Sequence, residues 1–379
     1  MKLLVITTPF MSIPTDKKYN QPIVKLNQPD DSYKIQPLPL PSGEYPYHLE
    51  AEKIVDLPRH KFSFHMVGDT GGMRYPHGQQ KVAEQMCRQV SGTDAGEQPA
   101  FLYHLGDVVY HFGEAQHYNR QFFKPYAGYT NPVFAIAGNH DTDVNPAVPP
   151  YNSLDAFTTV FCNAERCTIP FNNASERKSM VQPNIYWTLK TPLANIIGLH
   201  SNVPKYGYIG AEQRNWFIEE LKRANKERPG KCIIVTIHHA PYSADENHGS
   251  SLEMITFLEE AFTESGVRPD IIFSGHVHNY QRFNKAYDDG KILPFVVSGA
   301  GGFDELHDLV TVGDPQYSPD NALLHNVNLE SYLVMKHGFL KITLERTATG
   351  VALTGEYYIV PGDGESNAIK MDSFKYVFK

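Results

Sequence analysis

Short, nearly continuous apolar runs recur along this chain, each closed by glycine or by a small polar cluster. The runs at 61–67, 101–105, 133–137, 231–237, 270–274 and 294–298 are too short and too uniformly apolar for surface helices. They predict buried strands. Stretches with helical spacing lie between them, at roughly 79–90, 114–125, 153–161, 210–228 and 252–265. The fourth is the clearest: Trp216, Phe217, Leu221 and Ala224 share one face among charged residues, which predicts a packing helix without chemistry. Alternation of strand and helix over 61–137 predicts parallel pairing through right-handed crossovers. Segments 184–189 and 194–199, split by Lys190-Thr191-Pro192, predict an antiparallel pair. Segments 339–345 and 351–359 predict a closing hairpin around Thr349-Gly350.

The first 60 residues differ from the rest, being rich in proline and polar side chains. Gln36-Pro37-Leu38-Pro39-Leu40-Pro41 favours extended, polyproline-like backbone. The expected organisation is therefore an extended arm over 1–55 packed on the outside of one body over 56–379, with no internal repeat and no clear linker.

Composition narrows the classes. With 379 residues, 41% of them hydrophobic, the chain has ample material for a core. A formal charge of −8 argues against a broad nucleic-acid or acidic-membrane surface, although bound metals could still present an anionic substrate with positive charge. No window of about 20 apolar residues exists, so no membrane span is expected. The apolar start Met1–Ile6 is cut short by Pro9 and lacks a small-residue cleavage site, so a cytoplasmic location is favoured over export. Cys87, Cys162, Cys167 and Cys232 show no zinc-ribbon spacing. Buried thiols are expected at Cys87 and Cys232, while Cys162 and Cys167 share a loop and could form a local disulfide in an oxidising compartment, the less favoured reading.

The chemistry sits where the strands stop. Asp69, Asp107, Asn139, His238 and the pair His276 and His278 each follow a strand-like run, several with glycine directly before them. Singly, each has a bland explanation: an aspartate can form a turn or cap a helix, and an asparagine can hold a turn. Jointly they do not, because parallel strands set their carboxyl ends along one edge of a sheet. Carboxylates, an amide oxygen and imidazoles suit Zn, Mn and Fe, and the lack of thiolate disfavours a purely structural zinc site. The expectation is that Asp107 bridges two cations and the others complete the shell. His239 follows His238 directly and should face the other way, so only one of them can ligate. The glycine-rich turn at Gly68–Gly72 fits neither the dinucleotide fingerprint nor the P-loop.

Gly68-Asp69-Thr70-Gly71, Gly106-Asp107-Val108-Val109-Tyr110, Gly138-Asn139-His140-Asp141, Val235-Thr236-Ile237-His238 and Gly275-His276-Val277-His278 stand in the order of the calcineurin-like metallophosphoesterases. The chain resembles that superfamily over roughly 60–305, and within it the short-form purple acid phosphatases. Where many relatives carry Asp-x-His at the first motif, this chain has Asp69-Thr70-Gly71. Tyr110 instead stands three residues after the candidate bridging aspartate, as in the purple branch. The sequence Tyr110-His111-Phe112 departs from the protein Ser/Thr phosphatases.

The resemblance implies a layered α/β fold, a central ββ sandwich of mixed sheets flanked by helices in four αββα layers. It implies one ion on Asp69, Asp107, Tyr110 and His278, and a second on Asp107, Asn139, His238 and His276. The implied pair is Fe(III) with Fe(II), Zn or Mn. It further implies a phosphomonoesterase that uses a metal-bound hydroxide on a small phosphorylated substrate. His140 would face the phosphoryl group, and His248, in Asp245-Glu246-Asn247-His248-Gly249, is the second candidate proton donor. A phosphodiesterase or nucleotide pyrophosphatase of the same superfamily is the alternative, decided by loops 143–151 and 304–332. A non-catalytic metal- or phosphate-binding protein is a third reading. The motifs leave the oligomeric state open.

Overall fold

The computed structural model describes residues 17–92, 97–173, 175–361 and 366–379. The Met1–Ile6 run and the first part of the predicted arm lie outside them. Two mixed sheets carry the fold. The larger has eight strands in the order Val327–Leu333, Tyr280–Ala286, Ile292–Ser298, Ile271–Ser274, Cys232–Ile237, Ala194–Leu199, Trp187–Lys190 and His48–Glu50. The smaller has six, ordered Ile369–Phe378, Val351–Ile359, Gly338–Arg346, Lys61–Val67, Pro99–His104 and Val133–Ala135.

The inner faces of the two sheets meet. Tyr103 of the smaller sheet stacks on Trp187 of the larger at 6.2 Å between ring centroids, and its hydroxyl lies 3.0 Å from Thr236 Oγ1. Phe134 closes on the same indole at 5.9 Å. Central strands such as Cys232–Ile237 are buried at every position because a helix layer covers their other face. Helices Ala211–Asn225 and Leu252–Ser265 form that layer, joined by a Phe217–Phe257 stack at 5.6 Å. His77–Gly92 packs on the outside of the smaller sheet. The result is the expected αββα sandwich.

The pairing expected over 61–137 is present: Lys61–Val67, Pro99–His104 and Val133–Ala135 run parallel. The 184–199 pair and the 339–359 hairpin are antiparallel, as expected. Two expectations need correction. The helix expected at 114–125 is a short α-turn, Ala115–Tyr118, running into a π-helical turn, Asn119–Phe123. The wider turn lets Gln121 reach back to the Tyr110 backbone. The 304–332 stretch is not a bare loop, since it contains Tyr317–Ser318 and most of the edge strand Val327–Leu333. Cys162 and Cys167 carry free thiols, set near the Asn184 carbonyl and Ser179 Oγ respectively.

Residues 17–50 lie against the body. Val24–Lys25 pairs antiparallel with Tyr317–Ser318, and His48–Glu50 extends the larger sheet beside Trp187–Lys190.

Candidate metal centre

Parallel strands from both sheets deliver their carboxyl ends to one edge, and backbone hydrogen bonds sew the following turns together. Asp69 N donates to Gly106 O at 3.0 Å, Thr70 N to Asp107 O at 3.1 Å and Gly275 N to His238 O at 3.1 Å. Asp69, Asp107 and His276 all adopt positive φ, at 59°, 54° and 68°. A side chain in that region costs roughly 1–2 kcal/mol per residue, so tertiary contacts must hold each one there. Two glycines make room. A Cβ on Gly138 would collide with Asp107 Oδ1, and one on Gly275 would sit 2.6 Å from Asp69 Oδ2.

All seven candidate ligands meet. Tyr110 Oη lies 3.3 Å from Asp69 Oδ1 and 3.4 Å from His278 Nε2, which is itself 3.6 Å from Asp69 Oδ1. Beside this group, Asn139 Oδ1 lies 3.0 Å from both His238 Nε2 and His276 Nδ1. Asp107 Oδ2 is 3.4 Å from His238 Nε2, while its Oδ1 accepts His140 N–H at 2.9 Å. His239 turns away as expected, its Nδ1 lying 2.7 Å from Ser201 Oγ.

These donors fit cations better than they fit one another. His238 Nδ1 lies 2.8 Å from Leu105 O, and His278 Nδ1 lies 2.8 Å from Glu305 O. A carbonyl can only accept, so each Nδ1 carries the proton, and in the neutral ring each Nε2 offers a lone pair. Those lone pairs point at the oxygens of Asn139, Asp107, Asp69 and Tyr110. Acceptors facing acceptors in a buried site are unfavourable until a cation enters between them. Backbone carbonyls on the far nitrogens are also the usual support for metal-bound histidine. Among the described residues, His276 Nε2 is buried without a hydrogen-bond partner.

The charges tell the same story. Burial pushes the Asp69 carboxyl up, with the Asp107 charge adding to it, while His238 opposes the rise. Burial would also lift Asp107, but His238 and His140 outweigh it and hold that carboxyl well below the usual range. Burial alone would depress the His238 imidazole, yet the Asp107 and Asp69 carboxylates raise it above its ordinary value. The pocket thus draws positive charge to the His238 Nε2, either a second proton or a cation that displaces it. Burial, Asp107 and Asp69 together push the Tyr110 phenol far up, so it stays protonated until a Lewis-acidic cation displaces the proton.

His140 and His248 both border the cluster, His140 beside Tyr110 and His248 beside His276. His140 Nδ1 donates to His111 O at 2.9 Å, and its ring lies 4.5 Å from that of Tyr110. The His248 ring lies 4.2 Å from that of His276.

The sequence reading missed several supporting residues. The Asp141 carboxylate takes the N–H groups of Val108, Val109 and Gly138 at 2.9–3.1 Å, pinning the Asp107 turn to the Asn139 turn. Its place inside the third motif was the available signal. Gln121 clamps the Tyr110 backbone through both its N–H and C=O, at 2.8 and 2.9 Å. Phe303 stacks on the Tyr110 ring at 3.9 Å. No spacing in the sequence announces either of these. Asp245 and His307 form a second group with His248.

A two-sheet sandwich whose strand ends gather oxygen and nitrogen donors in pairs is a metallophosphoesterase scaffold. The chain belongs to the calcineurin-like phosphoesterase family, whose model matches residues 62–280. It is similar to "Purple acid phosphatase 1" of Ipomoea batatas, 28% identical over 237 residues that cover 56% of this chain and 46% of that protein. It is also similar to "Probable purple acid phosphatase 20" of Arabidopsis thaliana, 28% identical over 160 residues, 42% of this chain and 34% of that one. The match thus spans less than half the length of either relative. Among solved structures, "GAP50 the anchor in the inner membrane complex of Plasmodium" shares the fold at a TM-score of 0.54. That pair is 14% identical and covers 84% of this chain and 90% of the other. Among the described residues, no helix is long and apolar enough to cross a membrane.

Proposed function

We propose that this protein is a dinuclear metal-dependent hydrolase of phosphate esters, acting as a purple-acid-phosphatase-like phosphomonoesterase on a small phosphorylated substrate. The observation that carries the reading is the pair of imidazoles, His238 and His278, each with Nδ1 fixed by a backbone carbonyl and Nε2 aimed at buried oxygens.

Asp69, Tyr110 and His278 would hold one ion, Asn139, His238 and His276 the other, with Asp107 shared. The phenol of Tyr110 is a hard oxygen donor suited to Fe(III), and the second group suits Fe(II), Zn or Mn. When bound, the two ions supply Lewis acidity toward phosphoryl oxygens and toward water.

The chain's own groups do the rest. His140 keeps Nδ1 on the His111 carbonyl, so its Nε2 is the edge left for a phosphoryl oxygen. The Asp141 carboxylate fixes the turns that carry Asp107 and Asn139 relative to each other, which preorganises the site before substrate arrives. Phe303 covers the Tyr110 ring and keeps water from that flank. His248, its ring beside those of His276 and His278, would give a proton to the departing oxygen.

Turnover of p-nitrophenyl phosphate against bis-p-nitrophenyl phosphate tests the assignment. Faster cleavage of the monoester is expected. Preference for the diester would favour a phosphodiesterase, and cleavage of neither by protein holding two ions would favour a binding role.

A further inference from the structure

We infer that Asp245 is a positioning residue that aims His248 at the leaving-group side of the centre, with His307 as its brace. This rests on the phosphoesterase reading above and adds residues to it that no motif contains.

Asp245 is fully buried, yet it carries a carboxylate. Its Oδ1 accepts the backbone N–H groups of Asn247 at 2.9 Å and of His248 at 2.6 Å, and lies 3.2 Å from His248 Nδ1. Its Oδ2 lies 3.0 Å from His307 Nδ1. One carboxylate therefore bonds the Nδ1 of His248 and sets its other oxygen close to the Nδ1 of His307. His307 Nε2 is 3.3 Å from Asn247 Nδ2, and its ring stacks on His278 at 4.4 Å. That closes a ring of contacts, Asp245–His307–Asn247, around the loop. His248 differs: with Nδ1 held by Asp245, its Nε2 is left for a substrate, and its ring centroid is 4.2 Å from His276 and 6.0 Å from His278.

Burying a carboxylate is costly, and an apolar group would pack such a site at least as well. The charge is explained if it fixes an imidazole tautomer, as a buried aspartate does wherever a histidine must present one nitrogen to a reaction. In the step this serves, the P–O bond breaks and its electron pair goes to the leaving oxygen. That oxygen takes the Nε2 proton of His248 in its imidazolium form, which leaves the neutral ring with its Nδ1 proton on Asp245, and solvent returns a proton to Nε2.

The test is a double-mutant cycle of Asp245→Asn and His248→Gln on phenyl phosphate and p-nitrophenyl phosphate, with ¹⁵N NMR of the His248 ring. Each single variant should keep its metal content and lose on the order of 10–10²-fold in kcat on phenyl phosphate. The loss should be several-fold smaller on the nitrophenyl ester, whose leaving group needs no proton. The double variant should be no slower than His248→Gln alone, because Asp245 acts through it. The NMR should show a single Nδ1–H tautomer in wild type and a mixture in Asp245→Asn. Additive losses, equal losses on both esters or an unchanged tautomer would overturn the inference. If Asp245→Asn does not melt cooperatively, His307→Gln takes its place in the same cycle. Wild type that cleaves neither ester would sink the phosphatase reading, while the NMR arm still decides the positioning claim.

Discussion

Asn139 Oδ1 stands 3.0 Å from His276 Nδ1 across 137 residues of sequence, joining a turn of the smaller sheet to a turn of the larger. The contact spans the two halves of the sandwich, and nothing but shared chemistry requires it. Asn139→Ala and His276→Ala should therefore each lower turnover by at least about 10³-fold and bring metal content to about one ion per chain. Metal analysis beside kcat checks this. Full activity with two ions retained in both variants would remove these residues from the ligand set.

Tyr110 should give the ferric protein its colour. Its phenol faces Asp69 and His278 at 3.3 and 3.4 Å, with burial opposing ionisation until a ferric ion binds. Protein loaded with ferric iron should show a visible phenolate-to-metal band, and Tyr110→Phe should abolish it. A colourless wild type would refute the purple assignment even if hydrolysis survived.

The arm should matter to catalysis as well as to packing. Ile23 N donates to Ser243 O at 2.9 Å, Ser250 N donates to Ile23 O at 2.7 Å, and Lys25 Nζ reaches Asn247 O at 2.9 Å. Those bonds hold both ends and the middle of the loop that carries His248. A chain starting at Asn27 should keep both ions but turn over roughly 10–10²-fold more slowly, the scale expected when a catalytic side chain shifts by about 1 Å. An unchanged kcat would show that the loop holds itself.

Acid should weaken the fold through His65. Burial pushes this imidazole down from 6.5 to about 3 in the folded protein, where Tyr129 Oη and Gln89 Oε1 occupy its two nitrogens at 3.1 Å each. The unfolded chain takes up a proton below pH 6.5 that the folded chain refuses. The stability is thus present above 6.5 and lost as the pH falls toward 3. Between pH 7 and 5 that loss amounts to about 2 kcal/mol for this one group. Urea melts should show a wild-type loss larger by about that amount than the loss in His65→Gln.

The strands that build the centre were visible in the sequence because central parallel strands, covered on both faces, are apolar throughout; Cys232–Ile237 shows this plainly. The edge strands were not. Val327–Leu333 and Ile369–Phe378 are mostly half-buried or exposed, and the inner strand Tyr280–Ala286 was missed as well because polar residues interrupt it just after the His278 motif. The 114–125 stretch reads as one helix by spacing, but the demand of the Tyr110 backbone for Gln121 widens it into a π-turn. Ligands appear in sequence as residue types at strand ends. Their supports do not, since Gln121, Phe303 and His307 act through contacts made only after the chain has folded.

Anomalous diffraction from crystals of the metal-loaded protein tests the central claim most directly. Two cation peaks are expected, one on either side of the Asp107 carboxylate: the first among Asp69, Tyr110 and His278, the second among Asn139, His238 and His276. A single peak, or a pair that leaves Asp107 uncoordinated, would contradict the account.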